Sequence, residues 1–274
     1  MKDKLEKIFI FTNLAEESYK VKDEFIEKVK QKDKSIIVSD ELTEDVDLIV
    51  CIGGDGALLN LVQRLDFPGN PIVGINTGTL GFFQDILPSQ MDDFIDYYMN
   101  EQPQIETHTV VQADIFTKEG LKHVYGLNEI IVTGVVGCII HMNISIGGSF
   151  IERFSGDGII VSTPAGSTAY NYSLGGSIVD PRLKLLQVTP IAPMNTTAYR
   201  SFTSSLILPS EQSLIVVPDM NQDAFVSVSA DGFVHDFHKV EQIHIHYSDY
   251  KKIRMVKYYN YDFWRKVKEK FLSE

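Results

Sequence analysis

The sequence predicts an α/β N-terminal domain built on a parallel sheet, then a predominantly β C-terminal domain, with a C-terminal helix packing back on the first. Three observations predict it. Strand-like and helix-like runs alternate up to about Asn100, the pattern that builds a parallel sheet with helices on its faces. From 101–104 (EQPQ) onward, β-branched and alternating runs separated by turn residues replace that pattern. The tail over 260–272 is amphipathic, with Phe263, Val267 and Phe271 four apart. The boundaries read as 1–103, 104–252 and 253–274.

The elements follow in order. Residues 7–12 (KIFIFT) form a strand, and 16–32 a helix with Val21, Phe25, Ile26 and Val29 at helical spacing. A short strand covers 35–38. The continuous apolar run 47–52 (DLIVCI) suits a strand buried on both faces. After the glycine-rich 53–56 comes a helix over 57–65, a buried strand over 71–75 and a helix over 89–100. In the second half, strands are expected over 109–116, 127–133, 139–146, 159–161, 205–208, 213–217, 224–229 and 242–246, with one inserted helix near 167–174.

Composition narrows the function. The chain has 274 residues, 44% hydrophobic and 23% charged, ordinary for a soluble globular protein. No run approaches the ~18 apolar residues that span a bilayer, and the charged N-terminus does not read as a signal peptide. Cys51 and Cys138 lie in separate strand-like runs, so neither a disulfide nor a zinc site is expected, and the protein's home is expected to be cytoplasmic. A net charge of −12 argues against non-specific nucleic-acid binding. Between Cys51 and Asp180 there are only four basic residues, Arg64, Lys118, Lys122 and Arg153. Phosphates handled there would rely on backbone N–H groups and a metal ion for most of their neutralisation.

Four stretches carry candidate chemistry. In CIGGDGALL (51–59), a strand ends in glycines and a helix opens, which puts Asp55 at the carboxyl edge of the sheet, where ligands of open α/β sheets bind. No Gly-Lys-Ser/Thr follows, so this is not a Walker A loop. An acid beside phosphate-binding amides holds a metal or accepts a proton from an attacking hydroxyl. The alternative is a plain Asp-Gly turn. GINTGTLGFF (74–83) follows a second buried strand, so two strand ends face one crevice, or it is simply a loop. In GLNEIIVTG (126–134), Asn128 and Glu129 are neighbours at a strand start, so at least one faces inward and needs a partner, unless both lie in water. DGIIVSTPAGSTAY (157–170) carries more hydroxyls than one helix N-cap needs, and the surplus favours ligand binding. His244 and His246 alternate on one strand face and read as ordinary strand residues.

Taken in order, GGDG (53–56), NTGTLGF (76–82), NE (128–129), DGIIVSTPAGSTAY (157–170) and TPIAP (189–193) resemble the NAD kinase family, over most of the chain. GGDG alone also occurs in lipid kinases and phosphofructokinases; its combination with NE and STPAGSTAY is specific. The resemblance implies transfer of phosphate from ATP, another triphosphate or polyphosphate to the 2′-hydroxyl of the adenosine ribose of NAD, with Mg²⁺ or another divalent cation. It implies an active site between the two domains, and a homodimer or homotetramer in which a neighbouring subunit completes the NAD site. It implies no nucleic-acid or membrane partner.

By the same resemblance, Asp55 is the catalytic carboxylate. Gly53, Gly54 and Gly56 leave room for phosphates. Asn128 and Glu129 match the NAD-contacting pair, and Asp157, Thr168, Ala169, Tyr170, Ser173 and Ala192 match further dinucleotide contacts. Asn76, Phe82, Ser155 and Asn171 complete the expected binding set, with no protein metal ligands. Three positions depart from the pattern: Ala57 where the family has Thr, Ser155 where many members carry a basic residue, and Phe233 after SADG where a polar residue is expected. They bear on affinity and on the choice between NAD and NADH. Two rival readings are a lipid kinase, which the acidic composition disfavours, and a non-enzymatic dinucleotide sensor, which would gain nothing from Asp55.

Overall fold

A computed structural model describes residues 5–79, 81–134, 138–197, 200–219, 225–258 and 262–272. Leu80 of NTGTLGF, and residues 224 and 260 at the start of an expected strand and helix, lie outside them. In chain order the elements are β1 (Lys7–Thr12), α1 (Glu16–Lys32), β2 (Ile37–Ser39), β3 (Leu48–Gly53), α2 (Asp55–Arg64), β4 (Pro71–Asn76), α3 (Met91–Asn100), β5 (Gln104–Thr117), β6 (Gly120–Gly126) and β7 (Glu129–Thr133). They continue with β8 (Ile140–Ile146), β9 (Ser149–Gly156), β10 (Gly158–Ser162), α4 (Tyr170–Ser173), β11 (Leu185–Ile191), β12 (Leu206–Pro209), β13 (Leu214–Pro218), β14 (Phe225–Ala230), β15 (Phe233–His238), β16 (Val240–Lys257) and α5 (Phe263–Phe271).

The chain divides into two compact units, 1–108 with 251–274, and 109–250. In the first, β2, β1, β3 and β4 pair in parallel, and the end of β16 adds a further parallel strand through Arg254 and Met255 beside Pro71 and Ile72. Every residue of β3 is buried, as its unbroken apolar run requires. Its core holds Val21, Phe25 and Val29 of α1 and Phe94 and Ile95 of α3 with Ile8, Val50 and Val73 of the sheet. The register sets Gly53 opposite Asn76, so two strand ends stop side by side at the carboxyl edge. Helix α5 belongs to this unit and rests Phe263 and Phe271 against Phe82, as the amphipathic tail predicts.

The second unit is β-rich and mostly antiparallel. One sheet runs β12-β11-β10-β7-β14-β15. In the other, β13 lies between β8 and the first part of β16, β8 also pairs β9, and β5 pairs β6. Alternate residues of both sheets, among them Ile130, Val132, Ile159, Val161, Met142, Ile144 and Val216, fill one core.

Four strands were not expected from the sequence, β6, β9, β11 and β15. The physical reason is weak patterning. The first four residues of β6 are exposed, β9 is exposed at Ser149, Phe150 and Ile151, and β15 has no buried residue. Strand β11 contains Pro190, which argues against a ladder strand in sequence. Strand β16 continues well past the expected 242–246 and is the route by which the chain returns to the first unit. Among the described residues, no helix is long and apolar enough to cross a membrane.

Candidate active site

The first unit builds one constellation around Asp55. Gly53, with φ +151°, takes the backbone out of β3, and Gly54 caps α2, whose first residue is Asp55. The carboxylate is fixed from the loop after β4. Oδ2 accepts from the Phe82 N–H at 2.8 Å and Oδ1 from the Phe83 N–H at 3.0 Å. Charge-assisted bonds of this kind orient a carboxylate strongly. The fit is close: a Cβ on Gly81 would lie 2.4 Å from Oδ1, so only glycine lets the loop approach. Beside Gly54 and Gly56, in contrast, an added Cβ meets nothing within 4 Å. Those two glycines border open space, the kind of cradle a phosphate enters.

Asn76 shapes the loop. Its Oδ1 accepts from the Gly78 N–H at 3.0 Å and its Nδ2 donates to the Thr79 carbonyl at 3.2 Å. Gln84 was not singled out in the sequence, yet it ties the two strand ends together. Its Nε2 donates to the Gly54 carbonyl at 3.1 Å, and Gly74 leaves it room. Nothing in the run FFQD marks either Gln84 or Phe83 as special. Among the described residues, no group of three or more His, Cys, Asp or Glu is placed to hold a metal ion.

The second unit builds another constellation around the 128–129 pair. Both side chains are buried, at 5% and 6% exposure. Strand alternation does not govern them, because Asn128 sits in a bend and β7 begins only at Glu129. Among the described residues, Asn128 Oδ1 and Glu129 Oε2 have no hydrogen-bond partner. Burial, and then the nearby Asp231 carboxylate, push the Glu129 carboxyl up to about 8. Asp231 itself accepts from the N–H groups of Leu127 at 2.7 Å, Asn128 at 2.8 Å and Glu129 at 3.4 Å. Sequence reasoning missed this residue; the turn signal ADG was its only trace.

The hydroxyl-rich turn after β10 uses most of its hydroxyls to bond protein backbone. Three of them, on Ser162, Thr163 and Ser167, are engaged within the protein, whereas no such bond ties Thr168 among the described residues. Ser162 Oγ donates to the Thr163 carbonyl, and Thr163 Oγ1 donates to the Leu127 carbonyl and accepts from the Gly166 N–H. Ser167 Oγ donates to the Val179 carbonyl and accepts from its N–H. All are buried, and buried backbone in an irregular turn must find partners. Thr163 fastens the turn onto 127–128, its hydroxyl to the Leu127 carbonyl and its N–H to the Asn128 carbonyl, and a Cβ on Gly166 would lie 2.1 Å from that Asn128 oxygen. Thr168 and Ala169 are half-buried, and Tyr170 and Ser173 are exposed. Asn171 is buried and accepts from Thr189 Oγ1 at 2.7 Å, and its Nδ2 has no partner among the described residues.

Ser155 is fully buried, and its hydroxyl hydrogen-bonds His141 Nδ1 at 2.7 Å. Asp157 is exposed, and its N–H donates to the Ile191 carbonyl, which brings it beside Ala192 with its positive φ of 43°. His246 pairs with Asp114 at 3.1 Å.

Comparison with known proteins identifies the arrangement. Residues 5–102 match the ATP-NAD kinase N-terminal domain and 127–258 the ATP-NAD kinase C-terminal domain. The chain is 39% identical to the NAD kinase of Finegoldia magna, over 90% of this chain and 92% of that one. It is 32% identical to the NAD kinase of Leuconostoc mesenteroides, over 98% and 99%. Yeast NADH kinase in complex with NADH shares the fold, with a TM-score of 0.84 at 22% identity over 100% of this chain and 89% of that one. An Archaeoglobus fulgidus NAD kinase in complex with ATP gives a TM-score of 0.74 at 25% identity over 95% and 96%. Over both of its units, this chain belongs to the NAD kinase family.

Proposed function

We propose that this protein transfers the γ-phosphoryl group of ATP to the 2′-hydroxyl of the adenosine ribose of NAD, giving NADP and ADP. The observation that carries the reading is Asp55, a carboxylate held in one orientation by two loop amides and flanked by glycines that border open space. Asp55 takes the proton of the 2′-hydroxyl as its oxygen bonds to the γ-phosphorus and the bond to the β-phosphate bridging oxygen breaks. Such a transfer rests on positioning and charge neutralisation more than on covalent chemistry.

Glu129 and Asn128 are assigned to the dinucleotide. Buried polar atoms without partners are costly unless a ligand supplies them, and Asn128 Oδ1, Glu129 Oε2 and Asn171 Nδ2 are such atoms. A Glu129 that holds its proton near neutral pH both donates and accepts, which suits a hydroxyl pair. Asp157, Thr168, Ala169, Tyr170, Ser173 and Ala192 are assigned further contacts on the same ligand, and Gly53, Gly54, Gly56, Asn76 and Phe82 the donor side. The Ser155 hydroxyl, engaged by His141, is assigned a supporting role.

A divalent cation such as Mg²⁺ fits a site of open glycines with little protein charge, because Mg²⁺ keeps several waters and is bound in large part through substrate phosphates. When bound, it neutralises phosphate charge. Self-association as a homodimer or homotetramer and a cytoplasmic home belong to the same reading. Phe150 and Ile151, exposed on β9 at the end of its sheet, offer apolar surface a second copy would cover.

The test is NADP formation from NAD, ATP and Mg²⁺, read by an NADP-specific dehydrogenase, with Asp55→Asn alongside. Turnover in the parent and a loss of several orders of magnitude in the variant is the expected outcome. Equal turnover in both removes Asp55 as the base, and NAD binding without turnover in either favours the sensor.

A further inference from the structure

The scarcity of basic residues between Cys51 and Asp180 leaves the donor's phosphates with little protein charge in that part of the sequence. The fold brings charge from elsewhere. Helix α5 lies on the loop that holds Asp55. The Phe82 ring packs against Phe263 at 5.8 Å and Phe271 at 6.0 Å, and Lys266 Nζ donates to the Phe82 carbonyl at 3.1 Å. Lys266 is a fastener: its ammonium is mostly buried and also paired with the buried Asp85.

Lys270, one turn further along, is placed differently. Its Nζ stands 4.8 Å from the centre of the Phe82 ring and 3.9 Å from Asp55 Oδ2. That is beyond a hydrogen bond but within ion-pair distance. The aromatic face holds the ammonium over the loop. Its side chain is 36% exposed and that of Asp55 24%, so both reach open space. A phosphoryl group attacked by a hydroxyl that is itself bonded to Asp55 must come within a few ångströms of that carboxylate. A lysine ammonium 3.9 Å from the same oxygen reaches it.

We propose that Lys270 is a catalytic residue that contacts the transferring phosphoryl group of the nucleotide donor, a cation supplied to the GGDG loop by the C-terminal helix. The inference rests on the kinase reading of the Asp55 site. A lysine there neutralises charge on the phosphoryl oxygens in the way phosphoryl-transfer sites require.

The test compares Lys270→Met and Lys270→Arg with the parent. It measures kcat and KM for ATP and for NAD, and titrates binding of the β,γ-imido analogue of ATP and of NAD in the presence of Mg²⁺. In Lys270→Met, kcat/KM for ATP is expected to fall by about tenfold or more and the analogue's Kd to rise by about fivefold or more. NAD affinity and melting temperature should be unchanged, and Lys270→Arg should restore most of the loss. An analogue Kd within about twofold of the parent's in Lys270→Met overturns the proposal, whatever happens to the pH profile of kcat. A parent that makes no NADP sinks the kinase reading instead; the analogue titration needs no turnover and still decides Lys270.

Discussion

Gly81→Ala tests whether the loop amides orient the carboxylate proposed as the base. The added Cβ would lie 2.4 Å from Asp55 Oδ1, 2.9 Å from Cγ and 3.2 Å from Oδ2, against ordinary contact beginning near 3.4 Å. The carboxylate must therefore retreat by about 1 Å and loosen its bonds to the Phe82 and Phe83 N–H groups. A misplacement of that size costs roughly 10²-fold in rate when the displaced group takes part in the reaction. Stability should change less. The obstacle is the far end of a side chain, so the overpacking penalty falls at the low end of about 1–3 kcal/mol, and fewer unfolded conformations offset part of it. Steady-state NADP formation reads kcat, and urea denaturation checks that the variant is folded. Gly69→Ala serves as control, because an added Cβ there meets nothing within 4 Å and the residue precedes β4 at the amino edge of the sheet. A folded Gly81→Ala enzyme with kcat within about threefold of the parent would refute the positioning argument.

Other expectations concern the second unit and the cysteines. Burial raises the Glu129 carboxyl from its ordinary 4.5 to about 8, so the native state binds its proton more tightly than the unfolded chain. Its contribution to stability is present below pH 4.5 and is lost as pH rises through 8. Glu129→Gln, compared with the parent by thermal melts, should therefore gain stability on the order of 3 kcal/mol at pH 7 to 9 and little at pH 4.5, while weakening NAD binding; equal shifts at both pH values would count against the burial argument. Asp231→Asn leaves the Leu127 and Asn128 N–H groups poorly satisfied and should cost roughly 2–4 kcal/mol in urea denaturation, with NAD affinity reduced. Unchanged stability would mean the three amides find other partners. Cys51 is buried, with its thiol pushed up to about 12, whereas Cys138 is exposed. A native thiol assay should label Cys138 alone and the unfolded chain both; rapid native labelling of Cys51 would contradict its burial.

Much of the fold was legible in the sequence because its determinants are local. The unbroken apolar run of β3 and the helical spacing of Val21, Phe25 and Val29 fixed the α/β half. The position of Asp55 at the sheet's carboxyl edge was readable because a carboxylate between glycines after a buried strand is a local pattern. The family motifs likewise occupy short windows.

What escaped the sequence depends on contacts between distant segments. Strands β6 and β15 bury too little to show alternation, so they exist through their pairing with β5 and β14. The hydroxyls of Ser162, Thr163 and Ser167 look like spare ligands until the turn is folded and its buried amides and carbonyls consume them. Asp231 reaches the 127–129 amides across 104 residues of sequence, and Lys266 reaches the Phe82 carbonyl across 184. No periodicity encodes such a meeting. The sequence by itself determined which segments are strands and helices where one face is apolar, and that an acid stands in a glycine turn. Only the tertiary structure decided which amides hold that acid, which buried polar atoms are left without partners, and that the C-terminal helix lays a lysine beside it, because hydrogen-bond satisfaction and charge placement are settled by packing across the whole chain.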